Sequence, residues 1–106
     1  MTMRYQIERT AKADEQLRDI ILYRAGVRSS IDAALELLDE MEMEINQLSD
    51  FPECGAPPRY AALRARGYRV LIVAKKYLVF YKVNLERNTV IVHAVVDGRQ
   101  DYLNLI

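Results

Sequence analysis

Arginine and tyrosine crowd the second half of this 106-residue chain. Arg64, Arg66, Arg69, Lys75 and Arg99 are interleaved with Tyr60, Tyr68, Tyr77, Tyr81 and Tyr102. Guanidinium groups grip phosphates through paired hydrogen bonds, and tyrosine rings stack on bases. The mixture suits single-stranded RNA, provided that the strand ends carrying it lie close together. The same residue types also favour strands and sheet edges for structural reasons, and Tyr77 and Tyr81 would help to fill a core. Other chemistry is sparse. His93, the one histidine, has the pKa of a general base near neutrality. No nearby His, Cys or paired carboxylate would complete a metal site with it, and a packed or rim position is its ordinary fate. Cys54, between Glu53 and Gly55, has no adjacent base and no second cysteine for a disulfide. GxSxG, HExxH, Walker and CxxC motifs are absent. Neither a metal nor a cofactor is expected.

The elements that must position these residues follow from periodicity. Met3, Tyr5 and Ile7 alternate with Arg4, Gln6 and Glu8, which predicts a strand over residues 3–9. Thr10 offers an N-cap, and Leu17, Ile20 and Ile21, extended in phase by Arg24, predict a helix over 10–25 that stops near Gly26. Ser29-Ser30-Ile31-Asp32 has the spacing of a capping box. Ile31, Ala34, Leu35, Leu38, Met41, Ile45 and Leu48 then form the apolar stripe of a second helix over 30–48, ended by Pro52. Leu37 and Met43 fall off that stripe and suit contact with a partner, although a wide core-facing stripe explains Leu37, but not Met43, almost as well. After the Pro- and Gly-rich loop Phe51–Pro58 the period becomes two. Tyr68–Ala74, Tyr77–Val83 and Thr89–Val96 read as strands of an antiparallel meander, with His93 in phase with Ile91 and Val95. The expected architecture is α+β, in the order β-α-α-β-β-β. A helical hairpin packs on one face of a four-stranded sheet and leaves the other face open.

Composition bounds the class. With 51% hydrophobic and 28% charged residues, the chain is that of a soluble globular protein rather than a disordered one. Its length fits one domain spanning residues 1–106. No apolar run reaches the roughly 20 residues of a membrane span, and Met1–Tyr5 has no apolar core of a secretory signal, so a cytoplasmic protein is expected. The net charge of zero conceals a division. Residues 1–50 hold six basic and eleven acidic side chains, whereas residues 51–106 hold nine and four. The basic half would face phosphate or an acidic partner.

Several segments together carry a resemblance: Leu63-Arg64, Gly67-Tyr68-Arg69-Val70-Leu71, Tyr77 through Val83, and Val95-Val96-Asp97-Gly98-Arg99-Gln100-Asp101. Leu35, Leu38, Glu42, Ile45, Leu48 and Phe51-Pro52 fit it as well. In their order the chain resembles the RelE/ParE superfamily of bacterial type II toxin–antitoxin systems over nearly its whole length. The resemblance implies a toxin kept silent by a cognate antitoxin protein encoded beside it, with a role in plasmid stabilization. RelE-like members cut mRNA on the ribosome without a metal, and ParE-like members share the fold but inhibit DNA gyrase. On the first pattern the chain is an mRNA interferase, an endoribonuclease in which Arg69 and Arg99 hold the scissile phosphate and Tyr102 stacks or transfers a proton. Arg64, Arg66, Lys75 and Tyr68 would contact the RNA. This is the favoured expectation, and a gyrase inhibitor or a toxin fold without catalysis is the alternative. The chain departs from the ribonuclease pattern at Tyr60 and Ala62, where two lysines are expected. It departs again at Asp97, where many relatives have histidine, and in the short spacing from Arg99 to Tyr102.

Overall fold

The computed structural model describes residues 4–27 and 30–106. Strand β1 (Gln6–Arg9) leads into α1 (Ala11–Val27) and α2 (Ile31–Asn46), and a 3-10 turn, Gln47–Ser49, closes the hairpin. A short helix α3 (Ala61–Ala65) precedes β2 (Arg69–Val73), β3 (Tyr77–Asn84) and β4 (Thr89–Asp97), and a last 3-10 turn spans Leu103–Leu105. The sheet order is β1-β4-β3-β2, with β1 parallel to β4 and the other pairs antiparallel. The expected α+β order holds, with α1 and α2 on one face of the sheet. Of the strand expected over 3–9, Met3 lies outside the described residues.

Local chemistry accounts for the helix boundaries. Thr10 Oγ1 accepts from the Ala13 amide at 3.1 Å, as an N-cap should. The helix continues through Gly26 to Val27, so Gly26 is not its stop. Ser30 caps α2 by accepting from Ala33 N at 3.1 Å, so the cap is set one residue later than a Ser29–Asp32 box would require. Ser29 itself lies outside the described residues. The buried side of α2 runs through Ala34, Leu37, Met41 and Ile45, and Leu48 continues it in the turn. Leu37 therefore belongs to the core, whereas Leu35 and Ile31 are exposed. The spacing 34-37-41-45-48 keeps one face toward the sheet, and the alternative through 31, 35 and 38 lies on its flank. Met43 is exposed, as its place off the stripe indicated.

Two cores flank the sheet. On the helix side Leu17, Met41 and Leu48 pack against Val79, Tyr81 and Val92. The opposite face is not left open as expected. Leu63 of α3 packs there with Tyr68, Val70, Phe80, Val96 and Tyr102 in a second, smaller cluster. Helix α3 ends at Gly67, whose φ of +86° lets the Tyr68 amide bond back to Leu63 O at 3.2 Å. Only the end of this face nearer β1 stays free of that cover, around Lys82 and His93.

Candidate functional site

Arg69 opens β2 opposite Tyr81. Its Nη2 donates to the carbonyls of Glu53 and Gly55 at 2.7 and 2.9 Å, and its buried Nε has no hydrogen-bond partner. Alongside, the Gly55 amide donates to the Tyr81 hydroxyl at 2.9 Å, and Ala56 exchanges two backbone hydrogen bonds of 2.9 Å with Val70. A Cβ on Gly55 would stand 2.6 Å from Tyr81 Oη and 2.8 Å from Val70 O, so only glycine fits. Burial pushes the Tyr81 phenol up, against the lowering by the Gly55 hydrogen bond. Desolvation likewise pushes the neighbouring Cys54 thiol up, the reverse of what an activated nucleophile needs. Arg69 is thus the clasp of a knot that ties the loop before α3 to β2 and β3.

Arg99 lies at the other end of the sheet. Its Nε and Nη2 donate to the two oxygens of Asp97 at 3.0 and 2.7 Å, and its amide donates to Oδ1 at 2.9 Å. These side-chain hydrogen bonds hold the Asp97 carboxyl below the usual carboxylate range, overcoming its partial desolvation. Asp97 pairs with Tyr77 and Arg69 with Tyr81. Four residues of β3 therefore separate the two, about 13 Å along the strand. They do not converge on one phosphate. Beside Gly98 lie the Lys76 carbonyl, which accepts from the Gly98 amide at 2.7 Å, and Leu78, whose Cγ would stand 3.2 Å from a Cβ there.

Tyr102 is buried, 5.5 Å from the centre of Phe80 and edge-on to Tyr60 at 5.5 Å. Its phenol is pushed up by burial. Arg64 Nη1 donates to the carbonyls of Pro58 and Arg59, each at 2.8 Å. Lys75 sits in the β2–β3 turn, where Ala74 and Lys75 take φ of +52° and +65° as the two central residues of a type I′ hairpin. None of these is near Arg99 and Arg69 together.

Arg66 and Tyr68 do meet, with two residues that the alternation did not connect to them. Lys82 Nζ lies 4.5 Å and the Arg66 guanidinium carbon 5.6 Å from the centre of the Tyr68 ring. His93 meets the same ring edge-on at 5.5 Å. A bulge makes this possible. Phe80 pairs with Ala94 and Tyr81 with Val92, which leaves His93 as the extra residue. His93 consequently faces Tyr68, while Val95 joins the helix-side core, so the two are not in phase. Desolvation, then the charges of Lys82, Lys12 and Arg66, lower the His93 pKa and leave the imidazole neutral at pH 7.

A groove of about 800 Å³ between α1 and the end of β4 is lined by Ile20, Tyr23, Arg24, Lys76, Tyr77 and Val95, among others. Tyr23 of this lining is exposed, and the helical hairpin also exposes Leu22, Ile31 and Leu35. Among the described residues no cluster of three or more His, Cys, Asp or Glu could hold a metal, and no helix is long and apolar enough to cross a membrane.

Residues 7–102 match the family described as ParE toxin of type II toxin-antitoxin system, parDE. Among solved structures, the fold is similar to a chain of the chromosomal ParDE system from P. aeruginosa, with a TM-score of 0.72 and 16% identity over 92% of this chain and 98% of that one. It is also similar to a chain of the toxin–antitoxin complex RelBE2 from Mycobacterium tuberculosis, with a TM-score of 0.60 and 17% identity over 92% and 94%. No curated protein matches the sequence significantly.

Proposed function

Since the chain belongs to the ParE toxin family of type II toxin–antitoxin systems, we propose that it acts by binding and inhibiting DNA gyrase, not by cutting mRNA, and that an antitoxin protein holds it silent. One observation carries the choice between the two activities. The groups that a metal-free ribonuclease would need are dispersed and already engaged. Such an enzyme must stabilise the charge of a phosphorane and move two protons at one place. Arg69 is bound to two carbonyls at one end of the sheet, and Arg99 is bound to Asp97 at the other. Tyr102 is buried among Phe80 and Tyr60, and Tyr60 and Ala62 bring no ammonium group to the loop before β2. Arg64 and Lys75, assigned to RNA on the ribonuclease pattern, are equally scattered.

The surface that remains is of the kind that meets proteins. Leu22, Tyr23, Ile31 and Leu35 are exposed on the helical hairpin, and Tyr23 also lines a groove that an apolar segment can enter. The complexes whose chains this fold is similar to are toxin–antitoxin assemblies, which supports a protein partner here too. The test is to induce the chain alone, without the adjacent open reading frame, and read two outputs in the same cells. We expect relaxed plasmid DNA and intact mRNA. Ribosome-dependent mRNA cleavage with normal supercoiling would overturn the reading and restore Arg69, Arg99 and Tyr102 as candidate catalytic residues.

A further inference from the structure

The cluster on Tyr68 has no part in the fold's two cores beyond the ring itself, and its charges are unspent. Lys82 and Arg66 stand 4.5 and 5.6 Å from one ring centre. Lys12, in the first turn of α1, adds a third positive charge acting on His93. Neither Arg66, Lys82 nor Lys12 makes an ion pair with any described residue. The acid that β1 contributes on this side is Glu8, set by the register beside Ile91, and it is unpaired with them as well. A ring face holds a cation in place by its quadrupole but does not neutralise it. Two cations held against one ring repel one another, and the arrangement gains most when an anion arrives.

We propose that Arg66 and Lys82, held on Tyr68 beside His93, form a docking site for an acidic segment of a protein partner. The proposal rests on the reading of the chain as a toxin that works through protein contacts. Two features favour carboxylates over a nucleic acid. Tyr68 is only 6% exposed and both cations lie against its ring, so no aromatic face is offered for a base to stack on. The cations of this site also span one ring, with Arg64, Arg69 and Arg99 turned to carbonyls and to Asp97, and Arg59 and Lys76 set over other rings, Tyr60 and Tyr77. A nucleic-acid strand needs positive charge repeated along its backbone. An acidic stretch of peptide needs only one such spot.

Docking is coupled to His93. The carboxylates offset the field of Lys82, Lys12 and Arg66, which favours the imidazolium, so the bound complex takes up a proton. Affinity then rises as pH falls from 7 toward 6, while carboxylates stay ionised. The test uses the full chain with a hexaglutamate peptide and, in parallel, a six-residue oligouridylate, following the His93 ring proton by NMR at low salt. We expect the peptide to shift that resonance saturably and to raise its titration midpoint. Lys82→Gln and Arg66→Gln should each weaken binding about fivefold, the size of one screened ion pair, while Arg99→Gln leaves it unchanged. Lys82→Met keeps the apolar stem on Tyr68 and removes the charge alone, should Gln loosen the ring. Peptide affinity indifferent to Arg66 and Lys82 overturns the site, and tighter binding of the oligouridylate overturns the choice of partner. Either failure is read apart from plasmid supercoiling, which alone decides the gyrase reading.

Discussion

Two arginine–tyrosine clusters sit back to back on the same pair of strands. Arg69 and Tyr81 share one side, and their immediate neighbours Tyr68 and Lys82, joined by Arg66, share the other. Composition does not distinguish them; partners do. In the first, Arg69 Nη2 is matched to two loop carbonyls and the Tyr81 hydroxyl to a loop amide, while the buried Arg69 Nε has no partner. In the second, the cations have only a ring beneath them and solvent above. An arginine whose Nη2 is spent on its own backbone stabilises the fold, because its two charge-assisted bonds tie the loop to β2. A cation held in place but unpaired is available to something else. The contrast assigns stability to Arg69 and recognition to Lys82.

The sharpest way to break the contrast is Gly55→Ala. The new methyl would fall 2.6 Å from the Tyr81 hydroxyl and 2.8 Å from the Val70 carbonyl, both inside a packed site. The loop must move and take the Gly55–Tyr81 hydrogen bond and the Arg69 acceptors with it. A loss of about 3 kcal/mol is expected, at the upper end for overpacking, read as a lowered denaturation midpoint with an unchanged slope. Retained stability would mean that the knot is looser than its distances state.

Next in size is a paired substitution across the sheet. Arg69→Ala removes two charge-assisted hydrogen bonds to carbonyls and should cost about 2 kcal/mol, or about 10 °C in Tm for a chain of this size. Lys82→Gln should change stability by less than about 1 kcal/mol, the size of the one cation–π contact of a half-buried lysine. Under the ribonuclease reading the order of effects differs, because Arg69→Ala would abolish toxicity in a folded, stable protein. Thermal melts of both variants, set beside growth inhibition without the antitoxin, separate the two.

What the sequence made legible was the order of elements, because amphipathic periods near 3.6 and 2 run along α2 and along the strands on either side of the bulge. What it hid lay where a period is interrupted or a contact closes over distance. Helix α3 has five residues, too few to show a stripe, although Ala61-Ala62-Leu63 are good helix formers. The bulge at His93 shifts the strand by one residue, so a reading at constant period two put His93 and Val95 together when they lie on opposite faces. Arg69 looked like a phosphate ligand because its acceptors, the carbonyls of Glu53 and Gly55, are backbone atoms sixteen and fourteen residues away. Backbone carbonyls carry no sequence signature. Arg66 and Tyr68 were singled out for recognition from their types alone, but their company with Lys82 required the register.

The smallest expected effect is a pH dependence confined to the open cluster. His93 has its folded pKa lowered from 6.5, by desolvation first and then by Lys82, Lys12 and Arg66. Between the folded and unfolded values the unfolded chain binds more protons, so stability falls as pH drops through 6.5 and levels off below the folded pKa. Asp97 titrates in a separate window. Its folded pKa lies below 3.8, so the stability it contributes is present above that value and is lost only as pH falls further. Stability measured between pH 7.5 and 5 should therefore carry a slope that His93→Gln removes and Lys82→Gln reduces. Arg69→Lys, on the other side of the sheet, should leave the slope in place whatever it does to the absolute stability. A slope unchanged by His93→Gln would show that the three cations do not act on the imidazole. The open cluster would then be no more than scattered surface charge.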